Sequence, residues 1–463
     1  MKGPGAILTE RHWKRAALWL CFLGPFFFIT YGFANARTAC LPQVQSFAFA
    51  WERNIPFIPW MIIPYWSIDL LYALSLFLWT RQRDLDRHAL RLMAATIVCV
   101  CGFLLFPLKF SFERPEISQP LFRLLFDLLE SFDQPYNQAP SLHICLLIIV
   151  WDAFRRNVPP KIVPLVHAWA AVIAVSVFAT YQHNTIDGML AIPAGLLCCY
   201  LIPLAGAPAP FKKKRGPWLP GDSARARRLG GRYALLACAL GSAAALGCWL
   251  HNGWWSLLAW PSFSFAAVAV GYFKLGPGIF QKRPGMGPQA GTRAFASRVL
   301  LAPYEYAAKA YRLKYTSCLP EAAEAAPGIW IGSYPRALPA PGCGVLDLTS
   351  EYTRPPLNVI GSEHYAAVPL LDLIPPNERE LEHALFCLKR LRKKGPVLVH
   401  CALGMSRSAL VVACALVREG ACQDIDEALE RLKTVRPCIV VSKTAAAVAK
   451  NLTAAKRESN DDR

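Results

Sequence analysis

The stretch Val397-Leu-Val-His-Cys-Ala-Leu-Gly-Met-Ser-Arg-Ser-Ala-Leu410 sets a thiol and a guanidinium, Cys401 and Arg407, on one loop with five residues between them. The loop follows an apolar strand and opens an apolar helix. A small anion seated there meets backbone N–H groups and the positive end of the helix. The same field lowers the pKa of a cysteine, about 8.5 when free, and favours the thiolate that attacks phosphorus. Arg407 offers a planar fork for two phosphate oxygens. Gly404 permits a tight turn, His400 braces the loop, and Ser408 can donate to the thiolate as it leaves a phosphocysteine. With Ser406 these residues make a phosphate pocket with its own nucleophile. The bland alternative is a buried structural cysteine, and the register of His, Cys, Gly, Arg and Ser behind a Val-Leu-Val strand weighs against it.

The elements around this loop alternate. Gly328–Gly332 and Gly344–Leu348 read as strands, Asn377–Lys394 as a helix with Leu381, Leu385, Leu388 and Leu391 on one face, Val397–Val399 as the strand feeding the loop, and Asp424–Val435 as another helix. This is an α/β layer pattern over 327–463.

The series His400-Cys401-x-x-Gly404-x-x-Arg407-Ser408 resembles the signature of the cysteine-dependent dual-specificity (protein-tyrosine-type) phosphatases, from Pro327 onward. The resemblance implies an aspartate on an upstream loop that protonates the leaving oxygen and then activates water. Ala366-Ala-Val-Pro-Leu-Leu-Asp-Leu-Ile-Pro-Pro376 makes Asp372 that candidate, with Asp347 a rival that reads as ending a buried strand. Ala402, Leu403, Met405 and Ser406 bring no charge to the loop, which favours a singly phosphorylated group on a protein or a simple lipid phosphomonoester. A membrane tether raises the local concentration of the lipid.

A membrane is what the composition points to. Of 463 residues 54% are hydrophobic and only 17% charged, too apolar for a soluble enzyme of this length. The net charge of +19 lies mostly between apolar runs, where it sets topology rather than binding nucleic acid. Sixteen cysteines show no paired spacing for zinc or disulfides, so no metal or cofactor is expected. The catalytic thiol needs a reducing compartment.

Apolar runs at 16–33, 57–80, 89–108, 140–154, 162–180, 186–205, 233–250 and 255–273 predict about eight spans. Ala34-Asn35-Ala36 after the first run mimics a signal-peptidase site. The span at 140–154 is short and contains Asp152. Basic loops at 81–87, 155–161 and 211–232 all fall on the cytoplasmic side of an N-inside arrangement, as does the C-terminal domain. The fold expected is a multi-pass α-helical membrane domain plus a cytoplasmic α/β phosphatase domain. Its parts are residues 1–56 (tail, first span and outer loop), 57–205 (membrane domain), 206–275 (two further spans), 276–326 (basic juxtamembrane linker) and 327–463. The linker's Lys282, Arg283, Arg293, Arg298, Lys309, Arg312 and Lys314 either lie on an anionic leaflet or are simply solvated.

Polar residues at membrane depth are costly and mark function. Lys109 with Arg114-Pro115, Pro140-Ser141-Leu142-His143, and His183 with Asp187 all fall at the extracytoplasmic face of the expected bundle. His183 and Asp187 are four apart at a helix start, so the carboxylate can orient the imidazole. This pattern resembles the type 2 phosphatidic acid phosphatase superfamily, in particular the branch containing inositol phosphoceramide and sphingomyelin synthases, over about 57–205. The resemblance implies His183 as nucleophile, Asp187 as its orienter, His143 as proton donor, Arg114 and Lys109 as phosphate ligands and Ser141 in support. Two departures stand out: the Lys109-to-Arg114 spacing is shortened, and Ser176-Val177 replaces a Ser-Arg pair. The whole chain then resembles bacterial fusions of such a membrane domain with a dual-specificity phosphatase, in the inner (plasma) membrane, with phospholipid as a partner of the membrane half. A lipid-headgroup phosphotransferase, or a lipid-binding protein whose cysteine domain senses rather than hydrolyses, is the reading from another class.

Overall fold

Apolar runs cut by prolines, glycines and arginine pairs become helices throughout the N-terminal half. A computed structural model describes residues 12–461 except 132, 205–209, 211–219, 251–252, 318 and 357–363. The chain forms two units, residues 1–205 and 206–463.

The first unit is helical: α1 (Trp13–Ala39), α2 (Ile62–Leu76), α3 (Gln82–Leu105), α4 (Pro120–Glu130), α5 (Leu142–Asn157), α6 (Val163–Ala179) and α7 (Thr185–Leu201). Helix α5 packs against α2, α3, α6 and α7. Ser141 caps it, its hydroxyl accepting from the Ile144 N–H at 3.4 Å. Asp152, the carboxylate inside this apolar run, is buried. It pairs with Arg91 at 3.1 Å, Arg156 at 2.8 Å and Arg155, which neutralises it away from water.

Among the described residues, four helical stretches are long and apolar enough to cross a membrane: Trp13–Ala39, Gln82–Leu105, Ala224–Gly247 and Trp254–Lys274. Eight spans are therefore not supported. The expected spans at 57–80, 140–154, 162–180 and 186–205 are helices, but of 15, 16, 17 and 17 residues. At 1.5 Å per residue such helices rise about 22–26 Å, short of a hydrocarbon core of about 30 Å. Hydropathy windows run through the turns that end them.

The second unit opens with α8 (Pro220–Trp249) packed on α9 (Ala259–Val270). It continues through β1 (Gly285–Met286), α10 (Phe295–Leu300), α11 (Ala302–Thr316), β2 (Ala322–Ala326), β3 (Ile329–Gly332), β4 (Gly344–Thr349), β5 (Tyr365–Leu370), α12 (Glu378–Arg392), β6 (Val397–His400), α13 (Arg407–Arg418), α14 (Ile425–Val435) and α15 (Lys443–Asp461). The sheet order is β1-β5-β4-β6-β3-β2. The four inner strands are parallel and the edges antiparallel. Strands β4 and β6 are buried throughout, as a parallel sheet covered on its faces requires. Asn377 and Glu380 form a capping box that starts α12, and α12 and α13 pack onto the sheet.

Residues 276–326 differ from a linker. Gly285 and Met286 pair with Ala367 and Ala366 of β5, and Lys282 and Arg293 are buried rather than laid on a leaflet or solvated. Lys282 Nζ lies 2.6 Å from Asp347 Oδ2 and donates to Thr349 Oγ1 at 2.8 Å. The Tyr365 hydroxyl adds a hydrogen bond to Asp347 at 2.6 Å. Burial alone would raise the Asp347 carboxyl, but Lys282, His400 and Tyr365 hold it at about 2. Asp347 is thus a charged anchor of the sheet and not a proton donor. Lys282→Met is expected to cost about 3–5 kcal/mol, because it strands a buried carboxylate. Chemical denaturation of the full chain in detergent measures this, and adding Asp347→Asn is expected to recover most of the loss.

Candidate active site

The parallel strands β3, β4 and β6 end together, with His400 in register with Gly332 on one side and Asp347 on the other. The next residue, Cys401, begins the loop. Gly404 has φ +72°, and a Cβ there would sit 2.5 Å from the Gly332 carbonyl carbon and 2.6 Å from its oxygen, so only glycine fits. Three further bonds hold the loop. Tyr334 N–H donates to Ala402 O at 3.2 Å, Val440 N–H to Met405 O at 3.0 Å, and Arg436 Nη2 to Leu403 O at 3.1 Å. Arg436 is buried and also donates to Pro320 O at 2.8 Å. Its loop-clamping place had no signal in the sequence.

Cys401 is buried, with its Sγ accepting from Gly404 N–H at 3.2 Å and 3.4 Å from Ser408 Oγ. Burial pushes this thiol up, but Arg407 and the Ser408 hydroxyl and N–H outweigh burial and hold it below its ordinary value. His400 is fully buried, its ring edge-on to Tyr334 and its Nε2 3.8 Å from Asp347 Oδ1. Burial lowers its pKa against the opposing pull of Asp347. Ser406 stands at the N-cap position of α13 without a side-chain capping bond and lines the cavity over the loop.

Arg407 is fixed on every side. Its Nη2 and Nη1 donate to Glu351 Oε1 at 2.8 Å and Oε2 at 3.1 Å, and Nη1 also donates to Leu370 O at 2.9 Å. Its Nη2 lies 2.9 Å from Asp372 Oδ1, and its buried Nε has no partner among the described residues. Glu351 was not singled out by the sequence, and it is the planar partner that sets the guanidinium's orientation. Arg293, the buried linker residue, donates to the Glu351 carbonyl at 2.8 Å.

Asp372 belongs to the loop after β5, followed by Leu373 in the left-handed region at φ +59°. Burial and the nearby Glu351 charge raise the Asp372 carboxyl above its ordinary value against the pull of Arg407. A raised carboxyl pKa suits a proton donor near neutral pH. Cys401, Arg407, Asp372 and Ser406 all line one cavity of about 620 Å³. Cys401, with its thiol lowered, Arg407 and Asp372, with its carboxyl raised, thus meet in one place. Ser408 lies at the thiolate and Gly404 under it.

Residues 345–448 match the dual specificity phosphatase catalytic domain. The C-terminal part of this chain is a cysteine-based phosphatase domain of the dual-specificity, protein-tyrosine type. Among solved structures, a mouse dual specificity phosphatase complexed with zinc tungstate is 22% identical, covering 31% of this chain and 93% of that one with a TM-score of 0.28. Human DUSP28 is 22% identical, with 30% and 96% covered and a TM-score of 0.27. PTPMT1 in complex with PI(5)P is 21% identical, with 30% and 99% covered and a TM-score of 0.27. No curated protein matches the chain.

In the helical unit the residues singled out by the sequence are only partly gathered. His183 and Arg114 line a cavity of about 490 Å³ together with Glu130 and Asp133. Asp187 is buried, with its Oδ2 3.5 Å from His183 Nδ1 and accepting instead from Asn184 N–H at 2.8 Å. Ser141 N–H donates to the Asp187 carbonyl at 3.0 Å, tying the two helix starts together. His143 stacks on Tyr65 at 4.0 Å with its Nε2 3.0 Å from the Tyr65 carbonyl, outside the cavity lining. Arg114 pairs with Glu130. Lys109 is exposed and does not line the cavity. Val177, where the resemblance places an arginine, is fully buried.

Glu351→Gln is expected to keep the fold but release the guanidinium, raising KM for an aryl phosphate about tenfold through loss of a charged hydrogen bond. Steady-state kinetics of the full chain, beside its circular dichroism, checks this.

Proposed function

We propose that the chain is a membrane-bound phosphatase that hydrolyses phosphomonoesters through a phosphocysteine intermediate at Cys401. The observation that carries the reading is the meeting of Cys401, Arg407 and Asp372 in one cavity, with the thiol lowered and the carboxyl raised. The Cys401 thiolate attacks phosphorus while Arg407 and the loop N–H groups hold the phosphoryl oxygens. The bond from phosphorus to the ester oxygen breaks, and the Asp372 proton passes to that oxygen. Water then attacks the phosphocysteine and gives its proton to the Asp372 carboxylate. The S–P bond breaks, and Ser408 steadies the returning thiolate. The substrate is a phosphorylated protein or a lipid phosphomonoester. The four long apolar helices support an inner-membrane location, and the need for a free thiolate supports a cytoplasmic catalytic domain.

A second reading concerns the helical unit, as a phospholipid phosphatase or headgroup phosphotransferase of the type 2 phosphatidic acid phosphatase kind, fused to the phosphatase domain. It rests on His183 and Arg114 sharing a cavity, with Asp187 beside His183 and His143 on a neighbouring helix start. The carboxylates of Glu130 and Asp133 in the same cavity favour a zwitterionic or esterified headgroup over a free phosphomonoester. In this reading Lys109 is a peripheral residue.

Cys401→Ser is expected to abolish turnover of an aryl phosphate, and Asp372→Asn to lower kcat about 100-fold. Wild-type activity is expected to fall as pH drops through the lowered Cys401 value, where the thiolate is lost. It is expected to fall again as pH rises through the raised Asp372 value, where the acid is lost, and Asp372→Asn should remove that alkaline limb. Steady-state pH profiles read both limbs. His183→Ala is expected to abolish lipid dephosphorylation or headgroup exchange that persists in Cys401→Ser protein, measured in mixed micelles.

A further inference from the structure

The catalytic cavity has a wall that lies outside the matched phosphatase residues. Arg225, Leu229, Arg232 and Tyr233 all line it, and their spacing of four, seven and eight residues is one face of α8. That helix carries the apolar stretch Ala224–Gly247, so both arginines stand in its first turns. Phe265 of α9 and Tyr304 of α11 line the same wall. Arg312 of α11 adds a third cation, stacked on Tyr334 at 4.9 Å and Tyr352 at 5.6 Å, with its Nε lacking a hydrogen-bond partner among the described residues. Arg225 and Arg232 make no ion pair among the described residues. Beyond α9, Tyr272 donates its hydroxyl proton to the Asp372 carbonyl at 3.2 Å, so the end of this apolar stretch also holds the acid loop.

The outer surface of α8 and α9 fits a bilayer. Leu235 and Leu246 are exposed along α8, and Trp249, Trp254, Trp255 and Trp260 are exposed where the two helices turn. Indoles gather at membrane interfaces. With Trp249 at one interface, Arg225 lies about 36 Å away along α8, at the depth of lipid phosphates on the other side. Arg232 lies about 10 Å deeper, where its long side chain reaches back toward the headgroups.

We infer that the substrate of the Cys401 site is a membrane lipid whose headgroup carries a terminal phosphomonoester and a second anionic group. The inference rests on the phosphatase reading proposed above. The loop and Arg407 hold the scissile phosphate, and the uncharged loop residues Ala402, Leu403 and Met405 bring no further cation to it. Arg225 and Arg232 supply charge for the second anion from the helix. The wall of Leu229, Tyr233 and Phe265 runs on into a surface suited to acyl chains, which a diacyl lipid uses and a phosphopeptide does not.

The test uses the full chain in phosphatidylcholine mixed micelles with four probes: phosphatidylglycerol phosphate, which has both a diester and a monoester phosphate, phosphatidic acid, which has the monoester alone, a phosphotyrosine peptide, and an aryl phosphate. The expected order of kcat/KM puts phosphatidylglycerol phosphate above phosphatidic acid and the peptide. In Arg225→Gln/Arg232→Gln protein the ratio of phosphatidylglycerol phosphate to aryl phosphate kcat/KM is expected to fall about tenfold, through KM, from the loss of charged hydrogen bonds. Arg225→Lys/Arg232→Lys is expected to restore most of that ratio. Cys401-dependent turnover of the aryl phosphate with the lipid ratio unchanged in the double variant, or with the peptide preferred, overturns this inference alone. Absence of Cys401-dependent turnover overturns the proposed function and this inference with it.

Discussion

The buried Arg407 guanidinium is the charge on which the C-terminal domain depends. A cation taken out of water is costly unless its hydrogen bonds are met, and Glu351, the Leu370 carbonyl and Asp372 meet them. Glu351 pairs with both terminal nitrogens and so fixes the plane of the fork. The same charge favours the Cys401 thiolate across a short low-dielectric gap. Burial and the Glu351 charge raise the Asp372 carboxyl against the pull of Arg407. Nucleophile and acid are thus tuned in opposite directions by one ion pair. Arg293, through the Glu351 backbone, ties that pair to a segment well upstream of the strands.

What the sequence makes legible here is local. Cys401, Gly404, Arg407 and Ser408 sit on one short loop between a strand and a helix, so their spacing alone defines the pocket, and φ +72° at Gly404 shows why that position admits no side chain. Asp372 is legible as the carboxylate of a loop after an apolar strand. Glu351, Arg436 and Lys282 are not, because buried ion pairs and carbonyl clamps across 33 to 65 residues leave no periodicity to read. Lys282 and Arg293 looked like juxtamembrane charge for the same reason: a basic residue in a Gly/Pro-rich stretch carries no mark of the carboxylate waiting in the core. The apolar runs are likewise visible as helices, while their ends depend on turns that hydropathy averages over.

The helical unit shows the limit of motif spacing from the other side. His183 precedes α7 while Asp187 lies in its first turn, and Asp187 spends its near oxygen on the Asn184 N–H. Lys109, close in sequence to Arg114, is carried away from the cavity by backbone pairing with Gln45. Two carboxylates, Glu130 and Asp133, enter instead. The C-terminal site, by contrast, concentrates its cations: Arg407 at the phosphate and Arg225, Arg232 and Arg312 around the mouth. Charge balance therefore distinguishes the two cavities more sharply than motif spacing does.

In the proposed reaction, turnover passes through a covalent bond between Cys401 and phosphorus. A rapid denaturing quench of the full chain during steady turnover of an aryl phosphate, followed by mass spectrometry of the peptide bearing Cys401, tests it most directly. Phosphate is expected on Cys401 and is expected to disappear when substrate is exhausted. Undiminished turnover with Cys401 unmodified, or with the phosphate on His183, would contradict it.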